Sequence, residues 1–132
     1  MRRYQFDKLI RSKLPARMIN EGVIINSTEL SEADYVMQLK NKIVEESEEV
    51  LLASSRENLK TELADVLEVI QALSEASGID MQEIEEARLE KRAVNGHFQA
   101  DNYIHYIEVA KDNHKVIEYL NDKDRPYKFT EN

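Results

Sequence analysis

Residues 45–65 read EESEEVLLASSRENLKTELAD: an acidic run, a short apolar patch, a double serine, then a helix-prone stretch ending on two further acidic positions. Apolar residues recur at helical spacing on both sides of the double serine. Upstream the series is Val36, Leu39, Ile43, Val50 and Leu51, opened by the cap-like Ser31 and Asp34 and running to about Ala53. Downstream it is Leu59, Leu63, Val66, Leu67, Ile70 and Leu73, capped by Ser54-Ser55 and ending before Gly78. Two long amphipathic helices joined by so short a turn must run antiparallel, so this segment predicts a helix hairpin.

Working outward, Asp80 with Glu83 three residues on has the form of a capping box and predicts a third long helix, to about Val94, stopped by Asn95-Gly96. Before the hairpin, Pro15 favours the first turn of a short helix over residues 15–20, ended by Asn20-Glu21-Gly22. The basic residues ahead of it are expected in extended chain. After Gly96 the character changes. Tyr103-Ile104-His105-Tyr106-Ile107-Glu108-Val109 is β-prone, Lys111-Asp112-Asn113-His114 reads as a turn, and residues 116–120 suit a return strand or a helix. The stretch around Pro126 reads as a loosely packed tail.

Composition agrees with a mainly α fold. In 132 residues there are only 3 Gly and 2 Pro, against 33% charged and 42% hydrophobic residues, which suits long helices and disfavours a turn-rich β-sandwich or a disordered chain. One domain over residues 1–132 is expected, with 109–132 as an extension of no assigned role. The net charge of −8 repels phosphate backbones and anionic lipid, so no nucleic-acid polymer or membrane partner is expected. Cysteine is absent, removing disulfides and thiolate metal sites, and neither a spanning segment nor the apolar core of a signal peptide is visible. A cytoplasmic location is the expectation.

The chemistry is concentrated in the hairpin. Glu45-Glu46-Ser47-Glu48-Glu49 supplies an EExxE run and Glu62 with Asp65 an ExxD pair. Glu46/Glu49 and Glu62/Asp65 are each i,i+3 pairs, and each lies at the same offset beside the apolar stripe of its helix. In an antiparallel hairpin those flanks are mirror-related, so one handedness gathers the four carboxylates and the other splays them. Gathered without a cation they would repel and raise one another's pKa, so the cluster makes sense around a hard divalent ion. Mg²⁺ leads, with Mn²⁺ as the alternative, and Glu46, Glu49, Glu62 and Asp65 are the expected ligands. An acidic run by itself is ordinarily a solvated helix face, and that is the assignment here for Glu48 and Glu68. The second pair at the matching offset is what tips the balance toward a site.

This combination resembles the MazG-like all-α nucleotide pyrophosphohydrolases, whose signature is EExxE, a spacer and ExxD. Asp7-Lys8-Leu9-Ile10-Arg11-Ser12-Lys13-Leu14-Pro15 is similar to the KLVRDKIP opening of their phosphoribosyl-ATP pyrophosphohydrolase-like subgroup, with Ser12 in place of an acidic residue. Lys91-Arg92 followed by Gly96-His97-Phe98 is similar to the KRxxxGxF segment of the same subgroup. The resemblance spans residues 7–108. It implies a helical bundle assembling as a homodimer or larger homo-oligomer, and hydrolysis of a nucleoside triphosphate, non-standard ones included, at the α–β bond to a monophosphate and pyrophosphate. Long amphipathic helices in so short a chain give the oligomer a physical motive as well, since few internal partners exist to cover them.

For that reaction Glu45 or Glu46 is the candidate to polarise the attacking water. Lys8, Arg11, Lys13, Lys91 and Arg92 are candidates to grip phosphate oxygens, Arg11 and Arg92 foremost. The helix dipole alone could account for Lys91-Arg92 in a last turn. His97, His105 and His114 have no mutual ligand spacing and read as surface or packing residues. Two other functions fit the same residues: hydrolysis of phosphoribosyl-ATP specifically, and a non-catalytic helical module whose stripes bury a partner.

Overall fold

The computed structural model describes residues 1–99, 102–125, 127 and 129–130, and the described chain is all-helical. It holds α1 (Leu14–Asn20), α2 (Glu32–Leu52), α3 (Arg56–Ala76), α4 (Met81–Asn95) and α5 (His114–Asn121). Two compact units form, Met1–Gly96 with the first four helices and His97–Asn132 with the last. Among the described residues no helix is long and apolar enough to cross a membrane.

Four of the five described helices begin where a side chain satisfies an otherwise orphaned backbone N–H, and α1 instead starts with Pro15 in its first turn and no side-chain cap. Ser31 accepts from the Asp34 N–H at 3.1 Å to open α2, and Ser55 accepts from the Asn58 N–H at 3.1 Å to open α3. At α4 Asp80 accepts from the Gln82 N–H at 2.8 Å, while the Asp80 N–H donates to Glu83 at 2.7 Å, closing the reciprocal box. Two helices stop by the same device. Gly78, at φ 66, lets the Ile79 N–H reach back to the Ser74 carbonyl at 3.0 Å, and Gly22, at φ 85, lets Val23 reach Met18 at 3.0 Å. Both are Schellman ends that need a left-handed residue, for which glycine carries no Cβ penalty. The buried Ser74 hydroxyl also donates to the Ile79 carbonyl, which ties the α3–α4 turn to its helix.

The α2–α3 hairpin is the packing centre, turned by residues 53–55. Leu39 on α2 and Val69 on α3 are buried, with Val66, Ile70 and Leu73 half-buried beside Val69. The apolar arc of α3 is wider than the hairpin can cover. Leu59, Leu63 and Leu67, at i, i+4 and i+8 on its flank, stay exposed, Leu67 at 62%.

The second unit departs from the β expectation. Residues 102–110 carry no strand, residues 116–120 lie within α5, and no β element exists among the described residues. A β-prone stretch becomes a strand only when another strand supplies its backbone partners. Helix formation at α5 needs only local bonds, begun by Asn113 accepting from the Val116 N–H at 3.3 Å. Pro126 of the expected tail lies outside the described residues.

Candidate metal centre on the helix hairpin

Glu46 and Glu49 sit in the last two turns of α2, and Glu62 in the second turn of α3, so the tight connection brings them to similar height. Each offers a carboxylate oxygen, and the three oxygens lie within 4.8 Å of one another. Glu46 is buried, Glu62 half-buried and Glu49 exposed, so the cluster opens to solvent along one side. Glu62 Oε2 is buried with no hydrogen-bond partner. A sequestered carboxylate oxygen beside two further carboxylates is costly unless a cation or proton serves it. The donor set fits a hard divalent ion, being all oxygen, anionic and partly open for waters or substrate oxygens.

Three cationic side chains pair with acidic residues in and beside this cluster. Lys42, one turn before Glu46, lies 2.9 Å from Glu45 and 3.2 Å from Glu46. Lys8 reaches the same Glu45 oxygen at 3.0 Å from the segment before α1. From that segment too, Arg11 Nη2 donates to Asp65 Oδ1 at 2.5 Å. The carboxylates of Glu45, Glu46, Glu49, Glu62 and Asp65, set against Lys8, Arg11 and Lys42, leave two negative charges in excess, which one divalent cation balances.

Of the expected ligands, then, Glu46, Glu49 and Glu62 come together, while Asp65 lies outside that triad and pairs with Arg11. Glu45 faces two lysines. Of the expected phosphate-gripping residues, Lys8 and Arg11 reach the acidic flank. Lys13 precedes α1 as its cap, Lys91 and Arg92 lie exposed toward the end of α4, and none of these three makes an ion pair among the described residues. Glu48 and Glu68 are exposed. The three histidines belong to the second unit, as do the exposed Phe98, Tyr103 and Tyr106. Lys42 escaped notice in the sequence, although its i,i+3 and i,i+4 spacing to Glu45 and Glu46 was the available signal.

Protonation follows these contacts. Burial alone would raise the Glu45 carboxyl, but hydrogen bonds and charge from Lys42 and Lys8 outweigh it and hold it below its ordinary 4.5. For Lys42 burial acts against the charged form, and Glu45 and Glu46 overcome it, lifting the ammonium above 10.5. Glu62 moves the other way, above 4.5, through desolvation first and then Glu49, Asp65 and Glu46.

Opposite shifts give opposite pH signatures in the metal-free protein. Glu45, lower in the folded than the unfolded state, stabilises the fold above pH 4.5 and loses that contribution as pH falls through its folded value. Glu62, raised on folding, contributes fully below pH 4.5 and loses that contribution as pH rises through its folded value. Denaturant unfolding across the carboxylate range is therefore expected to show Glu45→Gln flattening the rise of stability with pH and Glu62→Gln steepening it. Equal slopes in the two variants would contradict this assignment.

The sequence model of the family described as Phosphoribosyl-ATP pyrophosphohydrolase matches residues 8–92, a span that holds the carboxylate triad together with Lys8 and Arg11. No curated protein and no solved structure matches the chain.

Proposed function

The chain belongs to the phosphoribosyl-ATP pyrophosphohydrolase family, within the MazG-like all-α superfamily, and on that premise we propose that it hydrolyses a nucleoside triphosphate between its α and β phosphates, releasing pyrophosphate, with Mg²⁺ as cofactor. It is a pyrophosphohydrolase, an enzyme acting on phosphoric anhydrides. The observation that carries the finer reading is the triad of Glu46, Glu49 and Glu62 with its unpartnered buried oxygen.

These three carboxylates would hold the ion. When bound it supplies charge neutralisation for the phosphates and lowers the pKa of water, with Mn²⁺ able to serve in the same oxygen-rich setting. The protein's own part is positioning and electrostatics. Lys42 holds the Glu46 carboxylate in place from one turn away. Glu45, kept ionised by Lys8 and Lys42, is suited to orient a water by accepting its hydrogen bond, although its lowered proton affinity makes it a weak proton sink. Glu46 is the other candidate for that role. Arg11 and Lys8 project from the segment before α1 toward the acidic flank, where phosphate oxygens would meet them. Lys13, Lys91 and Arg92 remain candidates for the outer phosphates. Homo-oligomerisation belongs to the same proposal and is supported by the uncovered Leu59, Leu63 and Leu67 on α3.

A second reading, phosphoribosyl-ATP as the substrate, is favoured by the family match itself. Pyrophosphate release from standard and damaged nucleoside triphosphates and from phosphoribosyl-ATP, with and without Mg²⁺ or Mn²⁺, separates the two. Metal-dependent turnover of a triphosphate, absent with EDTA, is the expected result. A kcat/KM for phosphoribosyl-ATP more than about 100-fold above every other substrate would transfer the assignment to it, since an enzyme's choice between substrates is the ratio of their kcat/KM values. Silence on all of them would favour the interaction module.

A further inference from the structure

Asp65 stands apart from the other acidic residues on the inner flank of the hairpin. Its Oδ1 is engaged by Arg11 at 2.5 Å and it is not part of the triad within 4.8 Å, yet its charge is felt at Glu62. The pair joins positions far apart in sequence: Arg11 lies in the irregular segment before α1, and Asp65 in the middle of α3. With Arg11 58% and Asp65 31% exposed, the pair is open to solvent and adds little to folding, so it can open without disturbing the hairpin. A guanidinium that meets a polyphosphate gains more charge and more acceptor oxygens than one carboxylate offers.

We propose that Arg11 is a positioning residue that makes ion binding depend on nucleotide binding. In the nucleotide-free protein Arg11 withholds Asp65 from Glu46, Glu49 and Glu62; when phosphates take the guanidinium, Asp65 is freed to join them. This rests on the hydrolase reading above. Nucleotide and divalent cation then bind with positive and reciprocal coupling. The site stays short of one ligand until its substrate arrives, which would limit idle occupancy by the ion.

Calorimetric titration with Mg²⁺ tests this, alone and in the presence of a non-hydrolysable α,β-methylene nucleoside triphosphate. In the unaltered protein the analogue should tighten Mg²⁺ binding about 10-fold, within the usual range for coupled sites. Arg11→Gln should bind Mg²⁺ alone about 10-fold more tightly than the unaltered protein, with a smaller further gain from the analogue, the remainder being direct coordination of the ion by phosphate oxygens. The double variant Arg11→Gln/Asp65→Asn keeps the net charge of the unaltered protein. It should therefore match that protein with Mg²⁺ alone but lose the part of the coupling that Arg11 and Asp65 supply. Arg11→Lys, which retains the cation, should restore the weak nucleotide-free binding. Full coupling in the double variant, or unchanged Mg²⁺ affinity in Arg11→Gln, would overturn the proposal while leaving the hydrolase reading intact. Absence of Mg²⁺ binding in the unaltered protein under both conditions would overturn both.

Discussion

Replacing Glu62 by Gln is expected to leave the metal-free protein folded, to abolish the stabilisation by Mg²⁺ that the proposed site predicts, and to remove nearly all pyrophosphate release. The three effects have one origin. Glu62 holds the buried oxygen without a partner, and desolvation together with Glu49, Asp65 and Glu46 disfavours its ionised form. Neutralising that side chain relieves repulsion in the empty cluster, so the variant's thermal midpoint without metal should equal or exceed that of the unaltered protein. The same change removes a charged oxygen donor from the proposed metal-binding triad, and with it the gain in stability that an ion binding only the folded state would provide. Loss of metal-borne charge stabilisation, worth several kcal/mol in the transition state, corresponds to a fall in turnover on the order of 10²–10³-fold. Glu49→Ala should likewise lose the Mg²⁺ response. Thermal scans with and without Mg²⁺, followed by a turnover assay, check each part. A Glu62→Gln protein that Mg²⁺ still stabilises as before would show that the ion, if it binds, does so elsewhere.

Leu67→Glu is expected to dissociate the proposed homo-oligomer. Leu63 and Leu67 lie one turn apart on α3, 48% and 62% exposed, on a face that the hairpin leaves uncovered. A twofold interface uses each residue twice, so losing a leucine worth about 1.5–3 kcal/mol on burial weakens association by ~3–6 kcal/mol, roughly 10²–10⁴-fold in Kd. A carboxylate in an apolar contact adds to that loss. Glutamate is a good helix former, so α3 itself should persist and circular dichroism should change little. Sedimentation equilibrium at micromolar concentration reads the outcome. A chain that is already monomeric before the change would refute the oligomer and leave the exposed leucines free for a different partner.

Particular residues mark how far sequence reading reaches. Ser31, Ser55, the Asp80–Glu83 box and Gly78 were legible because each acts on backbone within about four or five residues, where helix geometry leaves few alternatives. The α3 stripe was only half legible. Its period announced an apolar face, but whether Val69 or Leu67 faces the partner helix depends on how the two helices roll against each other. The β-prone stretch at residues 103–109 misled because strand formation is decided by a distant partner, and none is present among the described residues.

From the order of residues alone came the mainly helical class, the starts and stops of α1 to α4 to within a residue or two, the tight reversal near Ser54-Ser55 and the acidic pairs on matching flanks. Tertiary structure alone decided that Glu46, Glu49 and Glu62 converge, that Asp65 turns to Arg11, and that Lys8 and Lys42 share Glu45. The difference is physical. Spacing along a helix places side chains on a face through bonds closed a turn away, whereas bringing two faces together depends on hairpin handedness and helix rotation. Those are settled by packing across the pair and by charges arriving from the segment before α1, none of which a local pattern encodes.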